Sequence, residues 1–312
     1  MPSSTNFAVE VNSLTKRFGT FEAVKGISFN VPKGKIVGFL GPNGAGKTTT
    51  IQMLLGLLIP SSGTISYFGK DLATHRQEIM EKVNFSSTYI SMPWRLTIKE
   101  CLTYTSFLYK INNRRKRVEE VIETFRLQDL QHKEVAQLSE GQRTRLMLAK
   151  GFVNHPEVLL LDEPTASMDP ESAQYIRDFI QSYRKEHDIS ILFTSHNMPE
   201  VEDICDDVIF INGGEVIAHD TPENLARKLD IARVSLTVAD GLKRVAAICE
   251  KDKLPYTVNG RYIKIDLKEK AIPDFLKKLL EKGIDYTEIS IDKPNLEDFF
   301  LAVTGKNNHG TA

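Results

Sequence analysis

Residues 41–48 read Gly-Pro-Asn-Gly-Ala-Gly-Lys-Thr, which fits the phosphate-binding pattern G-x-x-x-x-G-K-[ST]. Glycines allow the backbone N–H groups to turn toward a polyphosphate, and the N-terminus of a following helix adds a partial charge of about +0.5. We expect Lys47 to reach the β- and γ-phosphates and the Thr48 hydroxyl to bind Mg²⁺. The alternative is a glycine-rich turn that precedes a lysine by chance.

The flanks of this loop favour the phosphate-binding interpretation. Ile36–Leu40 is an apolar run that predicts a strand. After the loop, apolar residues at positions 51, 54, 55 and 58 lie on one face of a helix that Pro60 closes. Strand, glycine loop and helix are the elements that the motif requires.

Two adjacent carboxylates follow a second apolar run. Val158–Leu161 predicts a buried strand, and Asp162 and Glu163 come directly after it. Ligands of open α/β sheets bind at the carboxyl ends of the strands. One carboxylate can hold Mg²⁺ through water while the next polarises an attacking water. Alone, this pattern fits a solvated strand end equally well, but the phosphate loop makes that alternative weaker.

Two further polar segments are ambiguous from their residues alone. Leu138–Gln142 reads Leu-Ser-Glu-Gly-Gln ahead of a helical stretch at 143–153, so Ser139 either caps the helix or contributes to a second phosphate site. His196 ends a third apolar run, Ile189–Phe193, through Thr-Ser-His. A lone histidine at such a place is more often structural than catalytic.

The elements that position these residues divide the chain into two parts. Residues 1–220 alternate strand-like and helical patterns, as α/β domains do, with a helical subdomain at 92–155 whose last helix we expect to end at His155, before a proline. Residues 221–312 predict the order β-α-β-β-α-β plus a helix, a small ferredoxin-like α+β unit. Its hairpin turn is expected at Asn259-Gly260.

Composition restricts the function classes. The 312 residues carry 40 Lys and Arg against 41 Asp and Glu, so the charge gives no support for a nucleic-acid partner. Three scattered cysteines predict reduced thiols. The longest apolar runs have four or five residues, where a spanning helix needs about 20. With no signal-peptide pattern at its N-terminus, the chain is expected to be cytoplasmic.

Taken together, these motifs resemble the nucleotide-binding subunit of an ABC transporter over about residues 7–220. Residues 41–48 are similar to Walker A, 138–142 to the ABC signature, 158–163 to Walker B with its catalytic glutamate, and 167–169 to the D-loop. The resemblance implies a P-loop NTPase fold, an ATPase, and Glu163, His196 and Lys47 as catalytic residues. It implies ATP contacts at Phe18, Gly41, Pro42, Asn43, Gly44, Ala45, Gly46, Lys47, Thr48, Thr49, Ser139, Gly141 and Gln142.

The sequence departs from the family at one place. The family usually has a glutamine after a short strand, but no Gln occurs between residues 78 and 127. Ser87 or Thr88 takes that place, so the resemblance implies Thr48 and Asp162 as Mg²⁺ contacts, with Thr88 as a further one. In the signature, Glu140 replaces the first of two usual glycines, a variation that the family tolerates.

The C-terminal tail resembles ATPases of bacterial type-two exporters. Pro294–Leu301 contains the Pro-x-Leu-Glu-Asp-x-Phe pattern at the end of such a subunit. The resemblance implies a homodimer that clamps two ATP molecules and powers a separate integral membrane permease, at the inner face of the membrane, for export of a drug, lipid or glycan. Alternatives are an ABC ATPase that acts on ribosomes or DNA, and a regulatory nucleotide sensor.

Overall fold

The computed structural model describes residues 6–87, 92–166, 168–229 and 231–305. These form two compact units, which divide between Thr221 and Pro222. The predicted Mg²⁺ contact at Thr88 and the first residue of the D-loop, Ser167, lie outside the described residues.

Among its described residues, the first unit contains ten strands and seven α-helices, and all of these helices but one have eight residues or more. Its strands are β1 (Phe7–Phe18), β2 (Phe21–Pro32), β3 (Ile36–Leu40), β4 (Ser62–Tyr67), β5 (Lys70–Asp71), β6 (Val83–Ser87), β7 (Val158–Asp162), β8 (Ser190–Thr194), β9 (Asp207–Asn212) and β10 (Glu215–Asp220). Its helices are α1 (Lys47–Leu54), α2 (Leu72–Met80), α3 (Ile98–Ser106), α4 (Arg114–Thr124), α5 (Glu140–Gly151), α6 (Pro170–His187) and the shorter α7 (Met198–Ile204).

A six-stranded sheet with the order β10-β9-β3-β8-β7-β6 is the centre of the first unit. Its strands are parallel except for β10, which pairs with β9 in antiparallel register. Strands β3 and β8 are buried along their whole length, which explains their continuous apolar runs. Parallel register places Ser87, Asp162 and Thr194 side by side at the carboxyl edge of the sheet.

A second, antiparallel sheet shares the core of this unit. Its order is β2-β1-β4-β5, and side chains of β1 and β2 pack in one apolar cluster with those of β3 and α1. The β1–β2 hairpin pairs Phe18 with Phe21 across its turn. These observations confirm the predicted α/β fold.

Two helices end earlier than the sequence predicts. Helix α1 stops at Leu54, not beside Pro60, because Gly56 adopts a φ of +64° and its N–H and that of Leu57 bond back to Met53 and Gln52, a Schellman arrangement. Helix α5 stops at Gly151, not at His155, whose φ of +49° is not helical. Phe152 follows the helix and packs against Phe125.

The second unit has a four-stranded antiparallel sheet. Its elements are α8 (Pro222–Arg227), β11 (Ala232–Asp240), α9 (Leu242–Asp252), β12 (Tyr256–Asn259), β13 (Tyr262–Leu267), α10 (Ile272–Glu281), β14 (Asp285–Asp292) and α11 (Leu296–Gly305). The strand order β12-β13-β11-β14 is ferredoxin-like, and residues of α9 and α10 join the strands in one apolar cluster. Asn259 pairs with Tyr262, so the hairpin turn is Gly260-Arg261, one residue later than predicted.

Candidate nucleotide-binding site

The phosphate loop connects β3 to α1 and requires glycine at two positions. Gly46 caps α1 with a φ of +105°, which side chains rarely tolerate. A Cβ on Gly41 would lie 2.1 Å from the Ile211 carbonyl oxygen. No side chain caps the first turn of α1, so its backbone N–H groups are available to an anion.

Lys47 folds back over this loop. Its Nζ donates hydrogen bonds to the carbonyl oxygens of Gly41 and Pro42, the latter at 3.2 Å. Burial lowers the pKa of Lys47, whereas Glu163 and Asp162 raise it. The Lys47 ammonium therefore has loop carbonyl oxygens as its hydrogen-bond partners. Phosphate oxygens bound at the same loop would accept stronger, charge-assisted hydrogen bonds from it.

A cavity of about 780 Å³ joins the predicted residues at the edge of the central sheet. Residues 42–49 form one wall. Ser87, Asp162, Glu163 and His196 line it from the ends of the neighbouring strands. The structure thus brings the phosphate loop, both carboxylates and the histidine around one space of the size that suits a small-molecule ligand.

Asp162 is held by hydroxyl groups on both sides. Its Oδ1 accepts a hydrogen bond from Thr194 Oγ1 at 2.7 Å, and its Oδ2 accepts one from Ser87 Oγ at 3.1 Å. Within the described residues, no group of three His, Cys, Asp or Glu side chains is arranged to hold a metal. One fixed carboxylate beside a threonine hydroxyl still fits Mg²⁺, which takes few protein ligands and completes its shell with phosphate and water.

Glu163 occupies a strained and largely buried position. Its φ is +53°, and its N–H bonds to the carbonyl oxygen and hydroxyl of Thr194. His196 Nε2 lies 3.2 Å from Glu163 Oε1, and the His196 backbone N–H donates to Oε2 at 3.4 Å. Burial raises the pKa of Glu163, while His196 opposes this shift. A carboxylate with a raised pKa is the better proton acceptor.

The predicted signature residues lie elsewhere on the same unit and do not line the cavity. The Ser139 hydroxyl accepts from the Gln142 N–H at 3.4 Å, and the Gln142 side chain accepts from the Ser139 N–H at 3.1 Å, which is a capping box. Ser139 is nevertheless exposed. The helix-capping role that the residues suggested is therefore present, on a surface that another molecule can reach.

The cavity lining includes two phenylalanines, Phe21 and Phe85, neither of which sequence reasoning named as a ligand contact. Phe21 lines the cavity and is 64% exposed, whereas the predicted Phe18 is not one of the lining residues and its ring lies beneath Lys16 Nζ at 5.2 Å. The Gly-Thr dipeptide between Phe18 and Phe21 is compatible with a hairpin tip, but it does not tell which ring faces the cavity. Thr194, the partner of Asp162, was also missed.

Comparisons with known proteins agree with this geometry. A family model described as "ABC transporter" matches residues 24–166. The bacitracin transport ATP-binding protein BcrA of Bacillus licheniformis is 33% identical, over 97% of this chain and 99% of that protein. The linearmycin resistance ATP-binding protein LnrL of Bacillus subtilis (strain 168) is 30% identical, over 96% of this chain and 98% of its own.

Solved structures show the same fold over most of the chain. An ATP-binding subunit of an ABC transporter superposes with a TM-score of 0.66 at 25% identity, covering 71% of this chain and 93% of that one. The cbiO1 protein from Clostridium perfringens, part of the transporter complex cbiONQ, gives a TM-score of 0.63 at 27% identity. The match covers 78% of this chain and 99% of that one.

Proposed function

Because this chain belongs to the ABC transporter family as an ATP-binding subunit with ATPase activity, we propose that it hydrolyses Mg·ATP in the cavity to drive a separate membrane permease. The observation that carries the proposal is the convergence of Lys47, Asp162, Glu163 and His196 on one cavity. Each side chain has the chemistry that a different part of phosphoryl transfer needs.

The phosphate loop binds and orients the triphosphate. The free N–H groups of α1 and the loop receive phosphate oxygens, and Lys47 exchanges its carbonyl partners for the β- and γ-phosphates. Thr48 and Asp162 would hold Mg²⁺, which neutralises phosphate charge when bound. Ser87 and Thr194 keep the Asp162 carboxylate oriented toward that place.

Glu163 and His196 act at the γ-phosphate. The raised pKa of Glu163 suits a residue that orients the attacking water and accepts its proton. His196 holds the Glu163 carboxylate through its ring and backbone nitrogen, and it contacts the γ-phosphate. Loss of the γ-phosphate removes a shared anionic partner and changes the balance between closed and open states.

The signature residues act on the ATP of a second copy of this chain. Two observations support a composite homodimer site. The N-terminus of α5 is exposed at Ser139. A Cβ on Gly141 would meet no atom of the described residues within 4 Å, so their packing does not require glycine there, although glycine inside a helix costs about 1 kcal/mol relative to alanine. Close approach by a partner-bound phosphate accounts for its presence.

The proposed permease docks at a groove of about 790 Å³. Its lining includes Leu57, Phe85, Leu108 and Tyr109. Leu57 and Leu108 are more than 60% exposed, and Phe107 beside them is 67% exposed. Contiguous exposed apolar residues indicate a protein or membrane contact. In the parts of the chain that the structure describes, no helix has the length and apolar character to cross a bilayer.

The transported substrate is proposed from the relatives. The names of the two relatives refer to bacitracin and linearmycin. We therefore propose export of a drug-like antibiotic, with the chain peripheral on the inner face of the membrane and residues 222–312 as an accessory domain.

The test compares two glutamates that flank one strand, β7. Glu163 follows the end of β7, while Glu157 precedes its start and forms an exposed ion pair with Lys82. With the purified chain and Mg·ATP, Glu163→Gln should lower kcat by roughly 10²–10⁴-fold with little change in ATP affinity, because a general base is lost. Glu157→Gln should keep wild-type kcat. Full activity in Glu163→Gln would overturn the site assignment.

The permease is tested by detergent extraction. The Glu163→Gln chain should copurify with a polytopic membrane protein from ATP-containing extracts, and Leu108→Asp should abolish this association without lowering ATP binding, because Leu108 lines the groove and not the nucleotide cavity. Copurification with ribosomes or DNA instead would contradict the transporter assignment.

A further inference from the structure

A buried glutamate outside the cavity joins two loops of the site. Glu200 lies in α7, and its side chain is 1% exposed. Charged side chains are seldom buried this deeply unless they are paired and hydrogen-bonded. Glu200 has two hydroxyl donors: Thr165 Oγ1 at 2.5 Å and Ser195 Oγ at 2.8 Å.

The two hydroxyls come from the two segments that carry the reacting groups. Thr165 belongs to the turn after β7 that begins at Glu163, where the Ala166 N–H bonds to the Glu163 carbonyl oxygen at 3.2 Å. Ser195 precedes His196 at the end of β8. The carboxylate of Glu200 therefore accepts one hydrogen bond from the Glu163 turn and one from the His196 segment.

The charge of Glu200 is balanced from a third element. Arg177 of α6 places its Nη1 at 4.0 Å from Glu200 Oε1 and its Nε at 3.3 Å from Asp203 Oδ2. Asp203 lies on the same short helix, with a side chain that is 50% exposed. Its side chain pairs with the arginine and, among the described residues, makes no hydrogen bond to either loop, which makes it a matched comparison.

We propose that Glu200 is a positioning residue for ATP hydrolysis, which holds Glu163 and His196 at a common spacing by joining the residues beside them. The proposal rests on the roles assigned to Glu163 and His196 above. When His196 shifts, Ser195 moves with it, and the shared carboxylate passes that displacement to Thr165 and the turn that follows β7. Glu200 itself does not line the cavity.

The experiment measures kcat and KM of the full chain for Mg·ATP. Glu200→Gln should lower kcat about tenfold and leave KM within about twofold, because misplacing reacting groups slows the chemical step. Asp203→Asn should keep both constants within about twofold, since it removes an ion pair from Arg177 but no loop contact. Equal losses in both variants would overturn the proposal, as would wild-type kcat in Glu200→Gln.

Two hydroxyl variants keep the test decisive if Glu200→Gln does not fold. Thr165→Val and Ser195→Ala each remove one donor and should each lower kcat at unchanged KM. Where Glu200→Gln folds, adding Thr165→Val or Ser195→Ala to it should lower kcat no further, because the effects of substitutions within one hydrogen-bond network are not additive. Wild-type kcat in both hydroxyl variants would refute the proposal. Glu163→Gln in the same assay distinguishes failure of this proposal from failure of the proposed catalytic site, because full activity in Glu163→Gln would refute the site itself.

Discussion

The N-termini of α1 and α5 both bear on the proposed phosphate chemistry, but they differ in what occupies their backbone N–H groups. Helix α1 begins after Gly46, which contributes no side chain to the cap. Helix α5 begins after Ser139, where a capping box satisfies two N–H groups. The first terminus lies in a cavity lined by residues of its own chain, and the second is exposed.

This difference predicts that the two termini affect different properties: ATP affinity of one chain at α1, and assembly of two chains at α5. An uncapped helix N-terminus beside a lysine binds an anion without a partner. A capped terminus gains less from an anion, because its N–H groups already have acceptors. We therefore expect changes at α1 to affect ATP binding by one chain, and changes at α5 to affect ATP-dependent dimerisation and turnover.

Among changes at the two helix N-termini, the largest effect on ATP affinity is expected from Lys47→Ala. Hydrogen bonds to charged groups contribute about 1.5–3 kcal/mol each, so ATP affinity should fall about 10- to 100-fold. Titration calorimetry with ATP measures this. Lys25→Ala is the control, because Lys25 forms an exposed ion pair with Glu215. Unchanged ATP affinity in Lys47→Ala would remove the basis for the phosphate-loop assignment.

Gly46→Ala should have the next largest effect. The added Cβ would lie 2.7 Å from the Ala23 carbonyl oxygen, at a φ of +105°. The loop must shift, and we expect about tenfold weaker ATP binding, together with a destabilisation of about 1–3 kcal/mol. Both are read from calorimetry and thermal unfolding. A variant that binds ATP normally would show that the loop does not need this backbone conformation.

Ser139→Asp separates capping from phosphate recognition at α5. Asp caps helices as well as Ser does, so thermal stability should hold, but its charge should repel a triphosphate on the partner chain. We expect ATP affinity of the single chain to be unchanged. The ATP-dependent dimer of Glu163→Gln, observed by size-exclusion chromatography, should weaken about tenfold when Ser139→Asp is added. A dimer of undiminished stability would leave Ser139 as a cap alone.

Local patterns predicted the central elements because each signal was complete within about twenty residues. The phosphate loop has its glycines, its lysine and both flanking elements in one stretch, and the structure has strand, loop and helix in that order. The predicted ends of α1 and α5 were wrong. A left-handed glycine, Gly56, ends α1, and α5 ends before His155, whose positive φ is not helical. Neither effect is visible in apolar periodicity.

Side-chain direction and burial were the parts that sequence did not reveal. Phe18 and Phe21 are paired across a hairpin, and only the folded turn distinguishes the ring that lines the cavity. Glu200 is an acidic residue in a short acidic helix, a pattern typical of a solvated surface. Its burial comes from α6, the turn after β7 and the end of β8, which are far apart along the chain.

The smallest expected effect gives the sharpest contrast between the two helices. Gly141→Ala adds a methyl group where no atom lies within 4 Å, inside a helix, so it should stabilise the chain by about 0.5–1 kcal/mol. If a partner-bound phosphate approaches this backbone, the same methyl group obstructs it, and kcat should fall while Tm rises. Thermal unfolding and ATPase assays on one preparation measure both. A higher Tm with undiminished kcat would mean that Gly141 contacts nothing during turnover, which would leave α5 without a role in the composite site.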